Sequence, residues 1–278
     1  MPLIIQVPAS TTNLGPGFDC LGAALQLWNR VEIEKGNPSQ KHPEIVSRTA
    51  DLFFTATEGT PFGFRFQVDG KVPQARGLGS SVTLRLGVLL GLNALAGEPA
   101  AREQLFRLCS ELEGHPDNAA AACYGGFTIV RQDQVSRFDI DPSVRFVLLV
   151  PEIEVKTEEA RRLLPHSYAR EAVVQNLANV SLIAASFASK EYRALRNAFQ
   201  DLLHQPYREP LVPFLGRVIE AGTAAGALGG FLSGSGSTIA CLTTERPAEV
   251  AAAMLKAAPE VQAKIIIAAA DNIGARIL

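Results

Sequence analysis

A short glycine-serine stretch, GLGSS at residues 77–81, stands directly before a long apolar run. Glycine lets the backbone adopt positive φ values and come close to a ligand. The N-terminus of a helix adds unpaired N–H groups and a partial positive charge. The stretch therefore predicts an anion site, most naturally for phosphate, where a serine hydroxyl can also ligate Mg²⁺. A plain glycine turn before a helix capped by Ser80 explains the same residues.

The common nucleotide-binding motifs do not account for this stretch. Val82 stands where the third glycine of a dinucleotide-binding fingerprint should be. The Walker A pattern G-x-x-x-x-G-K-[ST] and the hydrolase pattern G-x-S-x-G are absent from the sequence. A second glycine-serine loop, SGSG at residues 233–236, occurs much later in the chain. Two such loops favour a phosphate cradle more than either loop alone, although a sheet bulge or a turn also explains the second one.

Residues 8–22, PASTTNLGPGFDCLG, form a polar stretch directly after a strand-like run. Asn13 and Asp19 lie there among several hydroxyl side chains, and Gly15, Pro16 and Gly17 interrupt the chain. A rigid polar loop that follows a core strand is typical of a substrate contact. A long turn, held by local bonds between side chains and backbone, is the simpler explanation for this stretch taken alone.

Charged and polar residues are concentrated again in ELEGHPDN, residues 111–118, between two helical patterns. They are Glu111, Glu113, His115, Asp117 and Asn118. The His-x-Asp pair has no further partners at zinc-ligand spacing, so that kind of metal site is not predicted. A helix end at Gly114 and a helix cap at Asp117 explain part of the stretch, and Asp117 can serve both as a cap and as a binding residue.

The hydrophobic pattern predicts the elements that position these stretches. It predicts strands at 3–8, 24–35, 63–70, 125–131, 144–151 and 263–270, and a glycine loop that runs into a strand at 229–243. It predicts helices at 82–97, 102–114, 157–164, 170–199, 212–226 and 245–261. Strands and helices are mixed without regular alternation, which favours an α+β fold over a doubly wound sheet. We expect a domain boundary near residues 140–151.

The composition is that of a soluble globular protein. The chain has 278 residues, of which 47% are hydrophobic and 19% charged, and its net charge is −2. No polybasic run indicates binding to nucleic acid or to an anionic membrane. The four cysteines are too dispersed to predict a zinc site or a disulfide framework. The chain start lacks the charge of a signal peptide, and no uninterrupted apolar stretch reaches the ~20 residues of a membrane helix, so we expect a cytoplasmic protein.

Taken together and in this order, these stretches resemble the GHMP kinase superfamily, which includes galactokinases, homoserine kinases, mevalonate kinases and phosphomevalonate kinases. PQARGLGSS at residues 73–81 resembles the phosphate loop of that superfamily. The polar stretch at 8–22, EGHPDN at 113–118, HQPYRE at 204–209 and the closing GAR at 274–276 resemble the forms found in homoserine kinases. The resemblance covers nearly the whole chain. It implies an α+β fold with an N-terminal ribosomal protein S5 domain 2-like ATP-binding domain, residues 1–145, and a C-terminal ferredoxin-like α/β domain, residues 146–278.

The resemblance implies ATP and Mg²⁺ as cofactors. Backbone amides of the loop at residues 77–80 would surround the ATP phosphates. Ser81 and Glu113 would hold Mg²⁺, with Glu111 as the alternative to Glu113. The implied nucleotide contacts are Pro73, Arg76, Gly77, Leu78, Gly79, Ser80, Ser81, Ser233, Gly234, Ser235 and Gly236.

The resemblance also implies a small amino acid substrate, L-homoserine, which is phosphorylated on its side-chain hydroxyl. Arg161 and Arg208 would bind the α-carboxylate, because an arginine fork matches a carboxylate. Thr157, one helical turn before Arg161, would line the same pocket. Asp19 would meet the α-ammonium group or lie near the acceptor hydroxyl, and Asn118 would contact that hydroxyl. The other implied substrate contacts are Asn13, His115 and Asp117, and the implied catalytic set is Asp19, Asn118 and Arg161.

The sequence departs from the family pattern at several positions. Val82 and Thr83 replace small residues, Ala121 and Ser237 replace prolines, and Asp51 stands where many relatives have an asparagine near the adenine. These departures bear on affinity and nucleotide preference rather than on the reaction class. The first polar stretch also lacks a lysine for a Lys–Asp catalytic pair, so direct loss of the hydroxyl proton to phosphate and a dedicated base both stay open.

Two other functions stay open on the sequence alone. One is a related kinase for another hydroxy amino acid, such as L-threonine. The other is a non-catalytic ligand sensor with the same fold, which would be expected to lose metal or phosphate-loop residues that this chain keeps. The expected partner is the small-molecule substrate, with no nucleic acid and no membrane, and the family suggests a homodimer.

Overall fold

The computed structural model describes residues 2–37 and 41–278, and its mixed strands and helices confirm the predicted α+β class. The strands are β1 (Leu3–Asn13), β2 (Gly17–Lys35), β3 (Phe64–Gly70), β4 (Phe127–Arg131), β5 (Gln134–Phe138), β6 (Arg145–Pro151), β7 (Gly229–Leu232), β8 (Ile239–Thr243), β9 (Ala263–Ala268) and β10 (Arg276–Ile277). The helices are α1 (Glu44–Ala56), α2 (Ser80–Leu95), α3 (Arg102–Glu113), α4 (Asp117–Tyr124), α5 (Thr157–Arg162), α6 (Arg170–Ser189), α7 (Gln205–Arg208), α8 (Leu215–Ala224) and α9 (Pro247–Lys256).

The first sheet is built on a long hairpin of β1 and β2. Its strand order is β10-β1-β2-β4-β5, and β3 also pairs with β2. Helix α2 packs closely on β2 because it presents Gly87 and Gly91 to that strand. A Cβ atom on either glycine would collide with the buried side chains of Val31 or Ile33. This close packing fixes the position of α2, and with it the glycine-serine stretch at its N-terminus.

The polar stretch at residues 8–22, which we expected to be a loop, is the closed end of this hairpin. Strand β1 continues to Asn13 and β2 begins at Gly17, so the turn is confined to residues 14–16. Pairing continues this far because the hydroxyl groups of Ser10, Thr11 and Thr12 are buried and hydrogen-bonded. Apolar alternation could not predict these strand ends, because the side chains buried there are polar.

The second sheet has the order β7-β8-β6-β9, and its neighbouring strands are antiparallel. With β6 as the first strand, this is the 4-1-3-2 order of a ferredoxin-like unit. Helices α5 to α8 lie between β6 and β7 in the sequence, and α9 lies between β8 and β9. The division at residues 145 and 146 stays a prediction, since β6 begins at Arg145 and β10 returns to the first sheet.

Most predicted elements are present, with different ends. The helix predicted at 170–199 stops at Ser189, because Lys190 adopts the left-handed backbone conformation with φ of 61°. Helix α1 was not predicted, although Val46, Ala50 and Phe53 recur at helical spacing and are buried. Strands β5 and β10 were not predicted either, because β5 is largely exposed and β10 has only two residues.

Helix α6 is long and apolar enough, by length and composition, to cross a membrane. Its sequence also includes asparagines, a glutamine and serines. Its buried Asn176 side chain donates to the Pro16 carbonyl oxygen at 2.9 Å and to Asp201 Oδ1 at 3.2 Å. These polar bonds attach α6 to the hairpin turn, so we interpret it as a surface helix of a folded domain.

Candidate active site

A cavity of about 750 Å³ lies where the β1–β2 hairpin, the loop before α2, the α3–α4 junction, the start of α5, helix α7 and the loop after β7 meet. The predicted site residues that line it are Asn13, Asp19, Arg76, Gly77, Leu78, Gly79, Ser80, Ser81, Glu113, His115, Asp117, Asn118, Thr157, Arg161, Arg208, Gly234 and Ser235. Pro73, Ser233 and Gly236 were predicted as nucleotide contacts and are not among the lining residues. The fold thus brings most of the predicted set to one cavity.

The glycine-serine stretch forms a tight loop at the start of α2. Gly77 and Gly79 have φ values of 70° and 68°, a left-handed conformation that favours glycine. A Cβ atom on Gly77 would collide with the Ser233 carbonyl oxygen, and one on Gly79 would collide with Ser10 Oγ. Helix α2 begins at Ser80 after Gly79, and no side chain caps it, so the alternative with Ser80 as the cap is wrong. The first N–H groups of the helix therefore stay available for an anion.

The two glycine-serine loops contact each other through Ser233. Its hydroxyl donates to the Gly77 carbonyl oxygen at 2.6 Å and lies 2.8 Å from Thr11 Oγ1. Ser233 is fully buried, which explains why it does not reach the cavity. The Ser233 hydroxyl joins the loop at residues 77–81, the loop after β7 and strand β1.

Ser81 and Glu113 lie side by side on the cavity wall. The Ser81 hydroxyl donates to Glu113 Oε2 at 2.9 Å, and Arg85 Nη1 lies 3.0 Å from Glu113 Oε1. Glu111, the alternative, is exposed and does not line the cavity. A hydroxyl and one carboxylate are oxygen donors of the kind that Mg²⁺ takes from proteins when phosphates complete its shell. The residues present therefore fit the ion, although the described residues contain no cluster of three or more His, Cys, Asp or Glu side chains.

Asp19 and Arg161, predicted to bind opposite ends of an amino acid, are paired with each other. Arg161 donates to both Asp19 carboxylate oxygens, at 2.6 Å and 2.9 Å. This bidentate hydrogen bond, against the opposing effect of burial, raises the pKa of Arg161 above its ordinary value. Asn13 holds Asp19 in place, since the Asp19 N–H donates to Asn13 Oδ1 at 3.1 Å. The pair places one carboxylate and one guanidinium together on the cavity wall.

Arg208 is buried with only neutral acceptors around its guanidinium. The residue is 2% exposed. Nη1 donates to the Gly234 carbonyl oxygen at 3.0 Å and to a ring nitrogen of His204 at 3.2 Å, and Nε donates to the Ala160 carbonyl oxygen at 3.4 Å. Among the described residues it has no carboxylate partner within ion-pair distance. Burial, followed by repulsion from Arg161, lowers the pKa of Arg208 to about 10.

The α3–α4 junction contributes a hydrogen-bonded group of polar side chains. Asp117 Oδ1 accepts from the Asn118 N–H at 2.8 Å and lies 3.3 Å from His115 Nδ1. Burial lowers the pKa of His115, but the hydrogen bond and charge of Asp117 outweigh it and the pKa is raised. Asn118 accepts from Ser10 Oγ at 2.8 Å and donates to Thr12 Oγ1 at 3.2 Å. These bonds fix the orientation of the Asn118 amide, which lines the cavity.

Several lining residues were not predicted as site residues. They are Thr12, Phe18, Asn29, Ile45, Val68, Gln74, Ala75, Val82, Leu84, Val155, Lys156 and Glu158. Ile45, Val68 and Leu84 contribute an apolar part of the lining, which we call the apolar end of the cavity. Asp51, whose position in relatives was associated with adenine, is exposed and is not a lining residue. Apolar lining residues have no chemical signature in a sequence, so this end could be found only from the fold.

Comparisons with known proteins identify the family of the chain. The family models described as GHMP kinases N terminal domain and GHMP kinases C terminal match residues 44–126 and 183–261. A homoserine kinase from Synechococcus sp. is 41% identical over 269 residues, which cover 90% of this chain and 88% of that protein. A homoserine kinase from Carboxydothermus hydrogenoformans is 36% identical over 259 residues, which cover 87% and 85%.

Solved structures show the same two-domain architecture. The homoserine kinase from Cytophaga hutchinsonii superimposes with a TM-score of 0.90 at 25% identity, covering 100% of this chain and 97% of that chain. A mevalonate kinase superimposes with a TM-score of 0.73 at 15% identity, covering 96% and 98%, and this likeness concerns the fold alone. The motifs, the fold and relatives that are themselves kinases lead to one conclusion: this chain belongs to the GHMP kinase family.

Proposed function

We propose that the protein is a homoserine kinase, which transfers the γ-phosphoryl group of ATP to the side-chain hydroxyl of L-homoserine and forms O-phospho-L-homoserine. The observation that carries the proposal is the buried Arg208 guanidinium, which has only neutral partners among the described residues. A buried charge without a counter-ion is unfavourable. A substrate carboxylate supplies the missing partner at the cavity wall.

The substrate can replace both partners of the Arg161–Asp19 ion pair. Arg161 and Asp19 bind each other in the structure. A zwitterionic substrate offers Arg161 a carboxylate and Asp19 an ammonium group, so that breaking one ion pair forms two. Arg208 then binds the same carboxylate as Arg161. This arrangement suits an amino acid better than a sugar or a hydroxy acid that lacks a cation.

The rest of the cavity is available for ATP. Its phosphates would lie at the loop from Gly77 to Ser80, where unpaired N–H groups and the helix dipole favour an anion. Gly234 packs against Gly77 of this loop, and Gly234 and Ser235 also line the cavity. The apolar end formed by Ile45, Val68 and Leu84 offers a surface for the adenine base.

Mg²⁺ belongs to the same proposal. Ser81 Oγ and the Glu113 carboxylate, which lie 2.9 Å apart, are the residues that would hold it. When bound, the ion supplies positive charge to the phosphate oxygens. Arg85, at 3.0 Å from the other Glu113 oxygen, keeps that carboxylate in one orientation.

Catalysis in this site rests on positioning and charge neutralisation, because phosphoryl transfer has a loose transition state. With the substrate bound, the Asp19 carboxylate would be engaged by the ammonium group, and the Asp117 carboxylate is engaged by His115 and by the Asn118 N–H. Neither is a free base in this arrangement. The hydroxyl proton therefore passes to an oxygen of the transferred phosphoryl group, while the Asn118 amide orients the hydroxyl.

A substrate panel with coupled detection of ADP tests the proposal. Homoserine, threonine, serine and mevalonate are compared at several Mg²⁺ concentrations, and homoserine is expected to have the highest kcat/KM. A higher kcat/KM for threonine would mean that the substrate is another hydroxy amino acid. No ADP release with any of them, together with ATP binding, would favour the non-catalytic sensor.

The product and the cell compartment are part of the proposal. O-Phospho-L-homoserine is an intermediate of threonine biosynthesis, so the enzyme would act on that pathway in the cytoplasm. Residues 1–145 would form the ATP-binding domain and residues 146–278 the second domain. Fractionation of cells that express the tagged chain tests the compartment, and recovery of the chain with membranes would contradict it.

A homodimer is proposed as the assembly, with the outer face of α6 as the contact. Val174 and Leu177 are 59% and 61% exposed there, and no charged residue occurs between Glu171 and Ser189. The charged residues at the two ends complement each other in an antiparallel pair: Arg170 and Glu171 would face Glu191 and Lys190 of a second copy. Leu177→Glu is expected to shift sedimentation at increasing protein concentration from dimer to monomer, and an unchanged profile would exclude this face.

A further inference from the structure

The orientation of Arg208 depends on a buried histidine that the cavity does not touch. His204 is fully buried, and its Nε2 lies 2.8 Å from the Gly15 carbonyl oxygen. A carbonyl oxygen only accepts hydrogen bonds, so Nε2 carries the proton and Nδ1 carries the lone pair. Nδ1 lies 3.2 Å from Arg208 Nη1, so it accepts a hydrogen bond from the guanidinium.

The histidine ring stays neutral at physiological pH. Burial lowers the pKa of His204 to about 4, and Arg208 adds to this effect while Asp201 opposes it. The Asp201 carboxylate also has other partners, since it accepts from the backbone N–H groups of His204 and Gln205 at 2.9 Å and 2.7 Å. The Nδ1 atom is therefore a permanent acceptor for Arg208.

The hydrogen bonds leave one end of the guanidinium unused. Nη1 is shared between His204 and the Gly234 carbonyl oxygen, and Nε faces the Ala160 carbonyl oxygen. Nη2 has no hydrogen-bond partner among the residues that the structure describes. Because Arg208 lines the cavity, Nη2 is the group left for a carboxylate.

Phe18 supports the same arrangement from the cavity side. Its ring centroid lies 5.1 Å from the guanidinium carbon of Arg208 and 5.3 Å from that of Arg161. The ring also stacks on His204 with a centroid distance of 5.1 Å. The negative face of an aromatic ring attracts cations. The Phe18 ring therefore offsets part of the repulsion between the Arg161 and Arg208 guanidinium groups.

We infer that His204 is a positioning residue for the amino acid substrate: its Nδ1 fixes the Arg208 guanidinium so that Nη2 is presented to the carboxylate. The inference deepens the proposed function and rests on it for the identity of the substrate. His204 does not contact substrate, so its effect acts through Arg208. It also joins the hairpin turn at Gly15 to helix α7, which carries Arg208.

A matched pair of variants separates the two hydrogen bonds of His204. In His204→Asn the side-chain oxygen can take the place of Nδ1 and keep the acceptor for Arg208. In His204→Gln the amide nitrogen can take the place of Nε2 and keep the donor to Gly15, without an acceptor at Nδ1. We expect the KM for homoserine to rise about 30-fold in the glutamine variant and by less than about threefold in the asparagine variant. The KM for ATP should stay within about twofold in both, since His204 forms no hydrogen bond with the loop at residues 77–81.

Homoserine amide, which lacks the negative charge, gives a second readout. The wild type should prefer homoserine strongly, and the glutamine variant should lose most of that preference because the carboxylate contact is weakened. A merely structural defect would lower turnover of both compounds alike. Equal effects of the two variants on the KM for homoserine, or a parallel change in the KM for ATP, would overturn the inference.

Failure of the proposed function can be distinguished from failure of the inference about His204. If the proposed function is wrong, the wild type itself will not phosphorylate homoserine. The inference is still tested on the wild type by ¹⁵N NMR of the histidine side chains. The His204 ring is expected to be protonated at Nε2 alone and not to titrate above about pH 5. A ring protonated at Nδ1 would contradict the inference whatever the substrate is.

Discussion

The two arginines that line the cavity have different surroundings. Arg161 is paired with the Asp19 carboxylate, whereas the Arg208 guanidinium has only neutral acceptors among the described residues. The sequence predicts both as carboxylate ligands but does not predict these surroundings. His204 is four residues from Arg208 in the sequence, but Gly234 and Ala160 are 26 and 48 residues away. No local pattern indicates that the His204 ring meets the Gly15 carbonyl oxygen.

Arg208→Met should stabilise the protein and at the same time weaken binding of homoserine. Removing a buried charge that has no counter-ion is expected to raise the melting temperature by about 2–4 °C. The same change should raise the KM for homoserine about 100-fold or more, because a charge-assisted contact to the carboxylate is lost. Thermal unfolding and steady-state kinetics check both. The control is Arg162→Met, an exposed neighbour of Arg161, and loss of stability in Arg208→Met with an unchanged KM would contradict the account.

Glu113→Gln and Glu111→Gln form a matched pair for the metal site. Glu113 lies beside Ser81 on the cavity wall, whereas Glu111 is exposed. The first change is expected to raise the Mg²⁺ concentration for half-maximal activity about tenfold, because a charged oxygen ligand becomes neutral. The second should leave it within about twofold. Titration of activity with Mg²⁺, with nucleotide binding measured in parallel, checks the pair, and a larger effect at Glu111 would reverse the assignment.

At the scale of elements, the start of α2 was well predicted and the β1–β2 hairpin was not. The apolar run after the glycine-serine stretch indicates a buried helix, and glycine with serine indicates an anion site at its N-terminus. The hairpin was missed because Ser10, Thr11 and Thr12 are buried in strand β1, where a sequence pattern expects apolar residues. Their hydrogen bonds form with Asn118 and Ser233, which only the fold brings near.

Gly79→Ala tests the geometry of the loop that begins α2. Gly79 has a positive φ and no room for a Cβ next to Ser10 Oγ, so the variant combines backbone strain with a collision. Gly97→Ala is the control, since Gly97 also has a positive φ but a Cβ atom there would meet no other atom within 4 Å. We expect Gly97→Ala to lower the stability by about 1 kcal/mol without changing the KM for ATP. Gly79→Ala should raise that KM at least about tenfold, and equal KM values would contradict the assignment of the loop.

At the scale of the whole molecule, the resemblance predicted the two-domain fold, and the strand orders agree with it. Nothing in the sequence placed the apolar end of the cavity, because Ile45, Val68 and Leu84 come from α1, β3 and α2 and look like ordinary core residues. The cavity is lined by segments attached to both sheets, and no single segment forms it. Sequence motifs can therefore predict which residues take part, whereas the contacts that orient them depend on the assembled fold.

Stability should fall in mild acid because of His204. Its pKa is about 4 in the folded protein and lies near 6.5 in the unfolded chain, so the unfolded state takes up the proton first as the pH falls. This contribution to stability is present above about pH 6.5 and is lost progressively down to about pH 4. His115, whose pKa is raised, acts in the opposite direction, so a variant comparison is needed.

His204→Asn provides that comparison. Between about pH 7 and about pH 5, the wild type should lose up to about 2 kcal/mol more stability than the variant, because only the wild type carries the buried ring. Urea unfolding at the two pH values measures the difference. If the free energy of unfolding depends on pH in the same way in both proteins, the fold does not hold the His204 ring neutral.

The central claim is that the cavity binds ATP and a zwitterionic hydroxy amino acid, with L-homoserine as the substrate. Its most direct test is the specificity constant of the purified protein for homoserine, threonine and homoserine amide at saturating Mg²⁺-ATP, measured by ADP release and by identification of the phosphorylated product. The account predicts O-phospho-L-homoserine as the main product and a much lower constant for the amide. Phosphorylation of the amide as efficiently as of homoserine, or no phosphorylation of homoserine, would contradict it.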